Sequence, residues 1–591
     1  MNNNPATAAT LHLHGIGVSP GIAVAPVVLY RSRVINPPMR KITAEETETE
    51  WKRYLDAIEV TRTQLEELRK KLGDGASSVN SAAVIDGHLM VLDDELLVGD
   101  TRKAITEQFR NAEWAVRDVA GKYITQFTES KDAYFRERAD DISDVVRRLL
   151  RNLMGIKEEL PGQWDHPCVV VAENLTPSET MALPRDVVRG VVLDRGSLTS
   201  HAALVIRAIG IPAVFGLGTI SNYAVSGQQI GVDGSAGTVA LNPDEVDLAH
   251  LLGQAERRRE ILDSLKPLRD EPAVTPDGFR VKLLANIENT DDLSPLDENG
   301  AEGIGLFRTE YLWMASGKPV EEAEQTKAYR QAVSVMEDRP VVIRAYDLGG
   351  DKFVGVPGLP SSEKNPFLGL RSIRYLLRNE EIFKAQLRAS LRASCYGDVR
   401  ILLPMVTQIS ELTRARELFN ECLEIVSREG VACIPPKLGV MIEVPSAALI
   451  APVLVKQADF ISIGSNDLTQ YTLAADRTNE LVSHLYQTAH PSVLRLIKMS
   501  ADAAHAASVP LCLCGEMAAD PALAVLLLGM KFDALSMAAS SIPVIKALIR
   551  SVPVAEAEKL AQAALAAGSA EAVTEMSKGF LARYVPELLT V

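Results

Sequence analysis

Short apolar runs in the second half of the chain end, one after another, in residues that bind or react. VKLLANI carries Asn286, GIGLFR ends in Arg308, and VVIRAYD holds Arg344 and Asp347. LGVMIEV contains Glu443, FISIGSND ends in Asn466 and Asp467, and LCLCGE carries Cys514 and Glu516. Packing alone does not place charged and amide groups at the same end of six strands. Arg308 and Arg344, followed by Arg371 and Arg477, make a cation set, and guanidinium groups bind phosphate and carboxylate oxygens in a bidentate way. Glu443 and Asp467 are hard oxygen donors from different strands, and two carboxylates plus ligand oxygens suit Mg2+. The ligand this set fits is a small phosphorylated acid bound through Mg2+. The competing reading is a collection of surface salt bridges.

A second site sits near residue 201. The segment Asp194-Arg-Gly-Ser-Leu-Thr-Ser-His201 joins a strand (GVVLD) to an apolar helix (AALVIRAIG). Thr199 and Ser200 stand where a cap belongs, which puts His201 in the first helical turn. Exposed N–H groups and the helix dipole there favour an anion. A neutral imidazole at that place can attack a phosphoryl group and hold it as phosphohistidine. Thr180, in LTPSET, is a candidate partner for the other ring nitrogen. His88, His484 and His490 lack such a setting and read as ordinary satisfied histidines.

These groups need scaffolds. The eight apolar runs from VKLLANI to DALSM alternate with helical patterns after residue 275, the number and size of a (β/α)8 barrel, whose reactive groups sit at the C-terminal strand ends. An open doubly wound sheet is the alternative. Residues 44–158 are poor in Pro and Gly over long stretches and place Trp51, Leu55, Ile58, Leu65, Leu68 and Leu72 at helical spacing, as in a bundle. Residues 12–30 and 167–242 are β-rich, and the charged stretch from 243 to 266 reads as a helix ended by Pro267 and Pro272.

The chain has 591 residues, room for about three to five units. With 62 Lys and Arg against 77 Asp and Glu, the net charge of −15 argues against broad nucleic-acid binding. Six cysteines without zinc-knuckle spacing point to reduced thiols, and no apolar run reaches the length of a membrane span. The expectation is a cytoplasmic protein without membrane insertion.

The segment GSLTSHAALVIRAIGIPAVFG resembles the phosphohistidine motif of the phosphoenolpyruvate-utilising family. Within it, GIGVSPGIA, DGHLMVLDDELL, NGAEGIGLFRTEYLWM, NPFLGLRSIR, MIEVPSAA, DFISIGSNDLTQYTLAADR and CGEMA, in that order, resemble the Enzyme I branch of the bacterial sugar phosphotransferase system. The resemblance runs from about residue 14 to the end. It implies phosphoenolpyruvate–protein phosphotransferase activity: the phosphoryl group passes from phosphoenolpyruvate to a histidine and then to the carrier HPr. By motif, His201 is the phosphorylated residue and Cys514 the proton donor. Arg308, Arg344, Asn466 and Arg477 are implied as substrate contacts, and Glu443 and Asp467 as ligands of Mg2+.

The fold class implied is multidomain α/β. A phosphohistidine α/β domain (1–43 and 156–242) receives a helical HPr-docking insert (44–155). A helical linker (243–272) leads to a phosphoenolpyruvate-binding barrel (273–591) that makes the homodimer. HPr, basic by this reading, would meet acidic residues Asp86, Asp93, Asp94 and Glu95. One departure is Ser197, where the family motif often has a second glycine; a positive φ there would strain serine. A barrel lyase acting on a pyruvate-type enolate, or a non-catalytic signalling relative, are the rival readings.

Overall fold

A computed structural model of the chain describes all residues except 1–9, 32–36, 72–84, 86, 129–132, 157–163, 165, 177, 178, 181, 185, 197–200, 317, 318, 350–364, 478, 480, 481 and 591. Some side chains inside helices also lie outside the described set, those of Glu95 and His201 among them. The chain divides into two compact units, Met1–Glu256 and Arg257–Val591. No helix among the described residues is long and apolar enough to cross a membrane.

The first unit holds an eight-stranded sheet in the order β1-β8-β7-β3-β4-β5-β6-β2. Its strands are β1 (Leu11–His14), β2 (Ile16–Ser19), β3 (Ile22–Tyr30), β4 (Cys168–Ala172), β5 (Val188–Leu193), β6 (Ala213–Phe215), β7 (Gln229–Asp233) and β8 (Thr238–Leu241). β3, β4, β5 and β6 run parallel, and antiparallel pairs flank them on both sides. Strand β4 reads CVVVA and is buried at all its positions, as a strand covered on both faces must be.

Between β3 and β4 the chain forms a bundle with the helices Thr47–Lys71, Glu95–Thr106, Ala112–Thr128 and Ala133–Leu153. It has its own core, including Tyr54, Ile58, Leu65, Ile105, Val116 and Leu149. The buried stripe of the first helix runs through Tyr54, Ile58, Thr61 and Leu65, so Leu55, expected inside, is 40% exposed. Successive steps of four, three and four residues keep that stripe on one face, and Leu55 falls beside it. Of the acidic residues expected on this surface, Asp93 and Asp94 are exposed. Asp93 pairs with Arg62 at 2.8 Å, and the Asp94 carboxylate caps the next helix by accepting from Leu96 N and Leu97 N. Asp86 and the Glu95 side chain lie outside the described residues.

The second unit is a closed parallel barrel. Its strands are β9 (Lys282–Ile287), β10 (Ile304–Arg308), β11 (Val341–Arg344), β12 (Val399–Leu403), β13 (Lys437–Ile442), β14 (Ile461–Ile463), β15 (Leu511–Leu513) and β16 (Ala534–Met537), with β16 pairing back onto β9. All eight correspond to the apolar runs singled out in the sequence, and the open-sheet alternative falls. The large core lies between strands and outer helices. A separate small cluster of Leu306, Val342, Leu402, Met441, Phe460 and Cys514 draws one residue from each of six consecutive strands or their ends, and so fills the lumen.

Gly439 makes room for part of that filling, because a Cβ there would run into the Phe460 ring. Gly439→Ala is expected to lower the barrel's stability by about 1–3 kcal/mol through overpacking. Differential scanning calorimetry reads this as an earlier barrel transition; an unchanged transition would show that Phe460 yields without cost.

Candidate active site

The site is built where the barrel strands stop. Arg308 and Arg344 are the last residues of β10 and β11 and stand opposite each other in register. The Arg308 guanidinium donates to Glu288 Oε1 at 2.8 Å. Arg344 is buried and pairs with Glu310, and with Asp347 at 3.5 Å. Burial works against the charge on Arg344, but Glu310, Asp347, Glu443 and Asp467 outweigh it and hold the pKa above its ordinary value.

Arg371, the third member of the cation set, stands at the same rim. It donates to Asp347 at 2.8 and 3.0 Å, to Asp467 at 3.3 and 3.4 Å, and to the Tyr471 hydroxyl at 3.0 Å. Its guanidinium is thus a brace between two carboxylates. Gly349, at φ +108°, lets this happen: a Cβ there would sit 2.6 Å from Leu370 O, so only glycine brings Asp347 and Arg371 together.

Glu443 follows β13 and is 1% exposed. One carboxylate oxygen accepts from Met405 N at 2.6 Å, and Met405 adopts a left-handed φ of 56° to present that N–H. Burial, then the nearby carboxylates Asp467 and Asp347, push Glu443 up to about 8. Asp467, in the first turn of the helix Ser465–Leu473, goes the other way: burial works to raise it, but Arg371 and Arg477 hold it below the ordinary carboxylate range. Among the described residues no group of three or more His, Cys, Asp or Glu is arranged to hold a metal ion. Two buried carboxylates that disfavour each other's charge nonetheless suit a cation whose remaining ligands come from elsewhere.

Asn466 Oδ1 accepts from Glu516 N at 3.0 Å, which leaves the amide's amino end as its donor. Arg477 lies close to Asp467, Tyr486 and Glu516; burial opposes its charge, and these neighbours more than compensate. Cys514 caps the lumen cluster at 3% exposure. Its sulfur accepts from Ser462 Oγ at 3.3 Å and lies 3.6 Å from Ile463 O. Asn286 sits alongside, donating to Cys514 O at 3.2 Å and accepting from Ser536 Oγ at 2.6 Å. The second unit therefore brings all its sequence-predicted residues to one rim, in a mutually charged network. Sequence reasoning missed Glu288, Glu310, Met405 and Tyr471. Glu310 had a signal, two residues after Arg308 in FRTE; Met405 had none, since its role is a backbone angle.

The histidine site belongs to the first unit. His201 opens the helix His201–Ile209. Its side chain and residues 197–200, including Ser197, Thr199 and Ser200, lie outside the described residues. Gly196 takes φ +120°, where a Cβ would meet the Phe215 ring at 2.9 Å, so the glycine that remains is one the turn requires. Thr180 is buried and donates to Thr176 O at 2.9 Å.

Three family models match the chain. They are the N-terminal region of PEP-utilising enzymes over residues 14–138, their mobile domain over 164–237 and their PEP-binding domain over 263–554. The chain is 40% identical over 581 residues to the phosphoenolpyruvate-protein phosphotransferase of Listeria monocytogenes, covering 96% of this chain and 99% of that one. The chain belongs to the phosphoenolpyruvate-protein phosphotransferase family. The family's protein from Geobacillus stearothermophilus is 40% identical, covering 96% of this chain and 97% of its own length. The Staphylococcus carnosus member is 39% identical, covering 95% and 98%. His201 falls inside the match to the family's mobile domain, and the barrel rim inside the match to its PEP-binding domain.

Burial pushes the Cys514 thiol up to about 11, with Ser462 working in the opposite direction. The thiol therefore carries its proton at neutral pH. Alkylation of Cys514 by iodoacetamide is expected to be slow at pH 7 and to rise about tenfold per pH unit up to that value. Peptide mapping by mass spectrometry should find exposed Cys395 modified first; Cys514 labelled fastest at pH 7 would contradict the assignment.

Proposed function

We propose that the chain takes the phosphoryl group of phosphoenolpyruvate onto His201 and passes it to a histidine of HPr, the first step of a sugar phosphotransferase system. The observation that carries this reading is the rim itself: paired Arg308 and Arg344 facing Glu443, Asp467 and Cys514, within a PEP-binding domain. Family membership makes the chain a phosphotransferase; the residue roles, the carrier and the cation are our reading.

Arg308 and Arg344 bind the phosphate, each with a carboxylate behind it that fixes the guanidinium plane. Asn466 and Arg477 hold the rest of the substrate. Glu443 and Asp467 would hold Mg2+, which supplies positive charge against the phosphate and carboxylate oxygens when bound. His201, at a helix N-terminus, attacks phosphorus in line, and pyruvate leaves as its enolate. Cys514 then gives its proton to the enolate's methylene carbon, leaving a thiolate against the Ser462 hydroxyl. The lumen beneath is apolar, so water has no route to that carbon from below.

HPr docks on the helical bundle in this reading, where Met90 and Leu96 are 65% and 67% exposed beside Asp93. The enzyme works in the cytoplasm as a homodimer formed by its barrels. A lyase built on the barrel alone has no use for the mobile domain matched over 164–237.

His201→Ala is expected to abolish labelling by phosphoenolpyruvate while leaving circular dichroism unchanged. Wild-type label should be acid-labile and base-stable, and its recovery by mass spectrometry on His88 or His484 would refute the assignment. Glu443→Gln with Asp467→Asn should remove the Mg2+ dependence of phosphoenolpyruvate binding, measured by titration calorimetry with and without the cation. A double variant that still needs Mg2+ for binding would place the metal elsewhere.

A further inference from the structure

Gln386 lies in the helix Glu380–Ala393, outside the barrel, on a stripe with Phe383, Leu387 and Leu391. It is 2% exposed, in a layer where an apolar side chain would pack as well. Burying a carboxamide is costly unless each of its groups is bonded, and here they are. Gln386 Oε1 accepts from Tyr346 N at 3.0 Å. Gln386 Nε2 donates to Thr309 Oγ1 at 2.9 Å and to the Tyr329 hydroxyl at 3.1 Å. Thr309 Oγ1 in turn donates to Arg344 O at 2.7 Å. The chain continues outward: Tyr329 donates to Gln325 Oε1 at 3.2 Å, and Gln325 Nε2 to Val320 O at 2.8 Å.

The position of this network decides its meaning. The β10–β11 ladder ends at the pair Arg308 and Arg344. Just past it, Ala345 N adds one more rung on the β12 side, to Leu402 O at 2.9 Å, while Tyr346 N, which alternates to the β10 side, has no strand partner there. The Gln386 carboxamide has the acceptor and donors of a peptide group. It takes the place a further ladder rung would have had, and it does so from a helix of the outer layer. What it fixes is the backbone that carries Arg308, Thr309, Glu310, Arg344 and Tyr346. Glu310 is the carboxylate against the Arg344 guanidinium, so holding Thr309 also holds that brace.

We propose that Gln386 is a positioning residue for phosphoenolpyruvate: it presets Arg308 and Arg344 to receive the phosphate. The proposal rests on reading those two arginines as phosphate binders. A small displacement of the two guanidinium groups loosens their bidentate hold on the phosphate, a loss that falls on binding.

The test is steady-state kinetics of the full chain with phosphoenolpyruvate, Mg2+ and HPr. Gln386→Met keeps the volume and removes the bonds. The expected result is a KM for phosphoenolpyruvate raised about tenfold, with kcat within about twofold and the KM for HPr unchanged. Phosphoryl exchange between His201 and phospho-HPr should keep its wild-type rate. If Gln386→Met does not fold, Tyr329→Phe, which deletes one hydroxyl of the network, should raise the same KM about threefold. A folded variant with a wild-type KM for phosphoenolpyruvate, or with both KM values raised equally, overturns the proposal. Arg344→Lys separates the two readings. If it raises the KM and Gln386→Met does not, only the positioning role fails; if it leaves the KM unaltered, the arginine assignment fails.

Discussion

Four buried carboxylates, Glu310, Asp347, Glu443 and Asp467, share the barrel rim with two buried guanidinium groups, Arg344 and Arg371. Charge of one sign in that excess is unstable in a poorly solvated place, and the rim is arranged around the imbalance. Arg371 spans Asp347 and Asp467, Arg344 takes Glu310, and Glu443 is left to hold a proton more readily than an exposed carboxyl would. The unusual backbone at Met405 and the glycine at 349 exist to bring these groups within reach of one another. In the proposed reaction a cation held by Glu443 and Asp467 would add positive charge to that of the arginines.

The barrel was legible in the sequence because both faces of its strands are buried, so each strand is a continuous apolar run that stops abruptly at a polar group. The rim residues were legible for the same reason: Arg308, Arg344, Glu443 and Cys514 sit at or just past a strand end. Pairing was not. Nothing in the spacing of Arg371 says that its donors go to Asp347 and Asp467 from distant parts of the chain. On the bundle Asp93 and Asp94 are both exposed, and what the sequence did not show is that one pairs with Arg62 while the other caps a helix. Gln386 was hidden by its helix, where one polar residue on an apolar stripe looks like a small irregularity.

The two halves also differ in how they hold their reactive groups. The rim is locked by ion pairs and by a buried amide network reaching into the helical layer. His201 starts a short helix after a turn that needs Gly196.

Leu306, Val342, Leu402, Met441 and Phe460 close the barrel from strand to strand beneath Cys514. The barrel is in effect a cup with one opening. In the proposed reaction, substrate, departing pyruvate and the proton that restores the Cys514 thiol would all share that opening and so would have to take turns. On that reading, emptying the cup would come before recharging it, an order set by the packing of its floor.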